Sequence, residues 1–162
     1  MLKKWRFQVR KRITHMNKLF TIGFAGKNAE KFFRLLKNSG GKRLIDIRLN
    51  NVSQLAGFTK RDDLRFFLKE ILNWDYFHCL ELAPTKDILD GFKSGKITWP
   101  EYEKEYFALL SSRKVESSFK FEDLNLSVLL CSESRPEQCH RRLAAEYLKK
   151  ASSVNFEICH LF

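Results

Sequence analysis

The segment Cys131-Ser-Glu-Ser-Arg-Pro-Glu-Gln-Cys139-His140-Arg141 gathers two thiols, an imidazole and two guanidiniums in a short stretch. The apolar run Leu126 to Cys131 reads as a strand and Pro136 as the start of a helix, so Cys131 is expected at a strand end facing a helix N-terminus. A thiol in that place feels the positive end of the helix dipole, which lowers its pKa and makes it a nucleophile. Three chemistries can use the set. Cys131 can attack as a thiolate with His140 as its polar partner. Cys131, Cys139 and His140 can supply soft ligands to a metal, with zinc as the cofactor that suits them. The two thiols can form a redox pair. Against all three stands a plainer reading, a small buried Cys at a strand end and a core His bonded to nearby backbone.

Spacing weighs on each chemistry. A phosphatase loop of the C-x5-R type needs Arg at position 137, where Glu137 stands, and Glu133 would repel phosphate. Cys139 and His140 are adjacent on a helix and so about 100° apart, which hinders joint ligation of one ion. A C-x7-C pair is no thioredoxin signature.

A second pair lies upstream. Asp46 and Arg48 alternate with Ile45 and Ile47 on an apparent strand, where two charges are costly unless paired or used. In the functional reading Asp46 orients Arg48, and Arg48 with Arg141 receives the anionic group of a small ligand. The candidate catalytic set is then Cys131, His140, Asp46, Arg48 and Glu133, and the candidate ligand-binding set Arg141, Gly23 and Cys139. Gly23 and Gly26 read more readily as turn glycines than as a phosphate cradle, since neither GxGxxG nor GxxxxGK[ST] is present. His78 and Cys79 read as packing residues.

These residues can meet only if the chain brings strand ends to one edge. From Leu19 on, short apolar runs alternate with amphipathic segments in a βαβ rhythm. Strands are expected at Leu19 to Phe24, Arg43 to Leu49, Asp75 to Leu80, Leu126 to Cys131 and Val154 to Leu161, the last at an edge. Ala29, Phe32, Phe33 and Leu36 form a helix stripe closed by Gly40 and Gly41. Thr59 with Asp62 predicts a capping box for a helix burying Leu64, Phe67, Leu68 and Ile71. A helical insertion is expected between Pro84 and Asp123, including a helix started by Thr98, Pro100 and Glu101 that places Tyr102, Tyr106 and Leu109 on one face. The helix after Pro136 is expected to turn His140, Leu143, Ala144, Tyr147 and Leu148 inward. The predicted fold is a single α/β domain over residues 16–162, with a mainly parallel central sheet of about five strands and helices on both faces. In such sheets ligands bind at the strand carboxyl ends, where the candidates fall.

The chain of 162 residues is the length of one domain, and its fifteen Phe can fill a sizeable core. Its net charge of +11 suggests an anionic partner, but the excess is uneven: residues 1–15 hold Lys3, Lys4, Arg6, Arg10, Lys11 and Arg12 and no acid, leaving +5 from Met16 onward. That stretch is either a basic arm or upstream sequence outside the domain, and is expected to be disordered. A nucleic-acid-binding module is the rival functional class, with the arm on phosphates and Trp74, Tyr76 or Trp99 stacking on bases. No apolar run approaches the ~18 residues of a membrane span, and no signal-peptide h-region follows Met1. With four cysteines off any disulfide-scaffold spacing, a reducing cytoplasm is the expected location.

At these residues the sequence resembles the domain of unknown function 488 family, from about Leu19 to Leu161. The resemblance rests on Thr21-Ile-Gly23, Asp46-Ile-Arg48, Leu82-Ala-Pro-Thr85, Ile97-Thr-Trp-Pro-Glu-Tyr102, Leu129-Leu-Cys131-Ser-Glu133 and Cys139-His140-Arg141. It implies an α/β fold and a site at Asp46, Arg48, Cys131, Glu133, Cys139, His140 and Arg141, and it implies no reaction. Family members commonly carry His then Ser after the first Gly; Phe24 and Ala25 stand there in this chain.

Overall fold

Apolar side chains along each strand alternate between two faces, and the architecture follows from how each face is covered. A computed structural model describes residues 16–52 and 56–162. The basic stretch 1–15 lies outside the described residues. Among those described, the strands are β1 (Asn17–Gly23), β2 (Arg43–Asp46), β3 (Asp75–His78), β4 (Ser127–Cys131) and β5 (Phe156–Leu161). They pair in the order β3-β2-β4-β1-β5, and every pairing is parallel. The α/β expectation holds, with β5 at an edge as its sequence indicated.

The helices are α1 (Ala29–Ser39), α2 (Arg61–Phe67), α3 (Lys86–Lys93), α4 (Trp99–Ser112) and α5 (His140–Ala151). β1 and β2 both cross toward β3, whereas β3 and β4 cross toward β5. Right-handed crossovers therefore send α1 and α2 to one face and α3, α4 and α5 to the other. The core divides accordingly. Phe20, Ile22, Leu44, Val128 and Leu130 pack with Phe32, Leu36, Leu64 and Leu68. Leu19, Ile45, Ile47 and Leu129 pack with Ile88, Tyr102, Tyr106, Leu143 and Leu148.

Local sequence explains the helix ends. Asn28 accepts a hydrogen bond from the Lys31 N–H at 2.9 Å and starts α1, and Gly40, at φ 72°, ends it in the left-handed region. Glu101 accepts from the Thr98 N–H at 2.6 Å, which fixes the start of α4. That helix buries Tyr102, Tyr106 and Leu110, with the expected Leu109 half-buried against the same core. No helix of the described residues is long and apolar enough to cross a membrane.

Three expectations need correction. Thr59 does not cap α2: its hydroxyl donates to the Ala56 carbonyl, Lys60 occupies the cap position, and Asp62 pairs with Arg61. The helix then widens into a π turn over Leu68–Leu72, which rotates the following residues and leaves Ile71 exposed. The strands β2 and β3 stop at Asp46 and His78, short of the apolar runs they begin, because the chain beyond them turns away to build the strand-end loops.

Candidate functional site

β2 and β4 are neighbours whose onward connections leave in opposite directions, the topological switch point where α/β sheets open a crevice. A cleft of about 1060 Å³ lies there. Its rim carries Arg48, Leu49 and Asn50 from the end of β2 and residues 132–135 from the loop after β4. Lys86, Lys93, Trp99 and Tyr102 of α3 and α4 form the far wall, so the helical insertion completes the cleft. Cys139 and His140, at the start of α5, also line it.

The expected cluster is split by the pleat. Leu44 packs on the face of α1 and α2, so Asp46 and Arg48, at the same parity, belong to that face. Leu129 packs on the α5 face, and Cys131 shares its parity. Asp46 is fully buried and Arg48 only 4% exposed. Arg48 donates to both carboxylate oxygens of Asp46, Nε to Oδ1 at 2.8 Å and Nη2 to Oδ2 at 2.6 Å, and Nη2 also donates to the Thr59 carbonyl at 2.8 Å. Tyr76 donates its hydroxyl to Asp46 Oδ2 at 2.7 Å, and Asn51 donates to Tyr76 at 3.0 Å. Burial, then the nearby Asp46 charge, pushes the Tyr76 hydroxyl far above its usual value. The structure thus joins Asp46 to Arg48 as the sequence suggested and adds Thr59, Tyr76 and Asn51. Sequence reasoning offers Tyr76 as a base-stacking residue and not as a partner of Asp46, because only the register Leu44↔Tyr76 sets it on the Asp46 side of β3.

On the other face Arg141 is the hub. It is 0% exposed, and Nη1 donates to Cys131 Sγ at 3.0 Å, to Cys139 Sγ at 3.4 Å and to the Glu133 carbonyl at 2.5 Å, while Nη2 donates to the Ser134 carbonyl at 3.2 Å. Nε is buried without a partner among the described residues. Arg141 is therefore turned inward, stapling the β4–α5 loop to the two sulfurs, and it does not line the cleft in the way an anion receptor would. Burial works to raise the Cys131 thiol, but the neighbouring Cys139 thiol and the Arg141 charge outweigh it and hold Cys131 below its ordinary value. Burial, with Cys131 beside it, pushes Cys139 well up.

His140 is not the partner of Cys131. Its Nε2 meets the Ile47 carbonyl at 3.1 Å, so Nε2 carries the proton and Nδ1 is the basic nitrogen. Burial drives its pKa down to about 4. Because the folded state resists protonation while the unfolded chain titrates near 6.5, stability is full above that value and falls as pH drops toward 4. At pH 5 the loss is expected to be about 2 kcal/mol relative to pH 8. Urea midpoints at the two pH values measure it, and His140→Gln should flatten the difference.

The other candidates settle as follows. Gly23 is neither a turn glycine nor a cradle. It ends β1 with an ordinary φ, and a Cβ on it would sit 1.6 Å from the Glu133 carbonyl oxygen. Gly26, at φ 71°, is the turn glycine. The Glu133 carboxylate stands on the exposed cleft rim while its carbonyl holds Arg141. Cys131, Cys139 and His140 do not form a metal-ligand set: no three His, Cys, Asp or Glu of the described residues are so grouped, and the Arg141 guanidinium lies against both sulfurs. His78 meets the Arg48 carbonyl at 2.8 Å, and Cys79 is buried, its thiol pushed up to about 11 by burial. The aromatic residues proposed to stack on bases are otherwise engaged. Trp74 is buried against Gly41, Tyr76 is bonded to Asp46, and Trp99 stacks on Tyr102 at 4.9 Å with Arg142 over its ring.

A family model described as "Domain of unknown function DUF488" matches residues 28–148. No curated protein and no solved structure matched the chain.

Proposed function

Because the chain belongs to the DUF488 family, whose description assigns no activity, its function has to be read from the cleft, and we propose that it binds a small anionic molecule there. The observation that carries this reading is the start of α5, where Cys139 is the cap residue, makes no side-chain cap bond and lines the cleft together with His140. Unsatisfied helix N–H groups and the helix dipole favour negative charge at such an end. Lys86, Lys93 and Arg135 stand around the same cleft and are matched in number by Asp90, Glu133 and Glu137, so the helix end supplies the net preference for an anion. Arg48 lends its edge, its charge already balanced by Asp46, and so serves to shape the crevice more than to attract the ligand.

Isothermal titration calorimetry with inorganic phosphate, citrate and phenyl phosphate tests the reading, with glycerol and phenol as uncharged controls. At least one anion is expected to bind saturably, and Lys93→Glu combined with Arg135→Glu is expected to weaken it about tenfold or more. Both side chains are exposed, so the variant keeps the core intact. Binding that is absent for all three anions, or that the double reversal leaves unchanged, would overturn the assignment.

A further inference from the structure

Arg141 carries a full charge at 0% exposure, and among the described residues its hydrogen-bond partners are two carbonyls and two sulfurs, with no carboxylate. A buried cation needs a counter-charge. Of the groups it touches, only a sulfur can carry one, and Cys131 at 3.0 Å is the nearer. Cys139 contacts the same Nη1 atom at 3.4 Å, so a second thiol stands beside the first. The other two cysteines differ: Cys79 donates to the Glu81 carboxylate, and Cys159 lies on β5 near Glu157, with no cation bonded to either sulfur among the described residues.

We propose that Cys131 and Cys139 are an oxidisable dithiol, a modification site that a small hydroperoxide converts into an intramolecular disulfide. The Cys131 thiolate attacks the peroxide, an S–O bond forms as the O–O bond breaks, and the leaving alkoxide or hydroxide takes up a proton. The Cys139 thiol then attacks the sulfenic sulfur, the S–S bond forms, and the displaced hydroxide leaves as water with the Cys139 proton. The peroxide gains two electrons and the thiols lose two. The direction of the shift on each thiol matches these roles, Cys131 as the attacking sulfur and Cys139 as the protonated resolving one. Cys131 is 0% exposed and lies off the cleft behind Cys139, which is 2% exposed on the cleft wall. Only an oxidant about the size of water therefore passes Cys139 to reach it, and larger thiol reagents are shut out.

Oxidation has a structural consequence. The disulfide is neutral, so Arg141 loses its counter-charge and retains only the carbonyls of Glu133 and Ser134, which belong to the loop bordering the cleft. That loop should loosen. The site does not depend on the anion reading, since it can be tested with no ligand present.

The full-length native protein is treated with hydrogen peroxide, denatured in N-ethylmaleimide and mapped by peptide mass spectrometry. The expected product is a single Cys131–Cys139 link, lighter by two hydrogens and restored by dithiothreitol, with glutamyl endopeptidase cutting the oxidised form several-fold faster after Glu133 or Glu137. Cys139→Ala should leave a Cys131 sulfenic acid that dimedone captures when the peroxide-treated protein is unfolded in its presence. Both cysteines found alkylated at a peroxide dose that has already oxidised Cys159, or Cys131 linked to any other cysteine, would overturn the proposal. The wild-type map needs no variant, so a misfolded Cys139→Ala does not spoil it.

Discussion

Asp46→Ala is expected to destabilise the domain by about 3–5 kcal/mol, the usual cost of leaving a buried charge without its partner. Asp46 takes four hydrogen bonds: the Arg48 backbone N–H, its Nε and Nη2, and the Tyr76 hydroxyl. Alanine returns none of them. Arg48 would keep the Thr59 carbonyl, which carries no charge, and would remain only 4% exposed, too deep for solvent to take over the role of the carboxylate. Asp46→Asn keeps the shape but not the charge and should cost less. Most telling is the double variant Asp46→Leu with Arg48→Met, which removes both ions and should recover most of the loss, because a buried pair is often no more stabilising than apolar groups of similar volume. Urea unfolding at pH 7 followed by circular dichroism reads all three. A single-variant loss below about 1 kcal/mol would mean that Arg48 swings out to solvent and that the pair behaves as a surface ion pair.

That pair was legible in the sequence because its two members lie two residues apart in one expected strand, where parity alone puts them on one face, although β2 itself ends at Asp46. The same rule applied separately to Cys131 could not tell that it lies on the opposite face. Relating the parity of β2 to that of β4 requires their register, Asp46 against Leu130, and the two strands are joined by no local turn that would set it. The sheet itself was readable from apolar runs and helix stripes, since those depend on periodicities within single elements. The reversal of Cys131's partner from His140 to Arg141 has a similar origin. Pro136 marks a plausible helix start, but α5 begins at His140, and with Cys139 as its cap residue the phase of the first turn changes. His140 then reaches the Ile47 carbonyl and Arg141 points at the sulfurs. The π turn after Phe67 left no signal, because widening a helix by one residue needs no special residue type, only packing that favours it.

Gly23→Ala is expected to cost about 3 kcal/mol or more, at or above the upper end of what overpacking usually does, and to reduce anion binding in the cleft. The backbone there is ordinary, so the penalty is entirely steric. The new Cβ would lie 1.6 Å from the Glu133 carbonyl oxygen and 2.7 Å from Arg141 Nη1. β1 cannot retreat, because its other residues are paired to β4 on one side and β5 on the other, with Gly23 itself opposite Cys131. The β4–α5 loop must move, and in moving it withdraws the Glu133 carbonyl from Arg141 and unseats the start of α5 from the cleft. Gly26 supplies the contrast. It sits at φ 71° with open space where a Cβ would go, so Gly26→Ala should cost only the left-handed strain of about 1–2 kcal/mol and leave the cleft unaltered. The order of the two costs, measured by urea unfolding, decides what holds the site. If Gly26→Ala proves the more damaging, the loop yields easily at Gly23, and the guanidinium is seated by α5 and the two sulfurs without help from the close approach of β1.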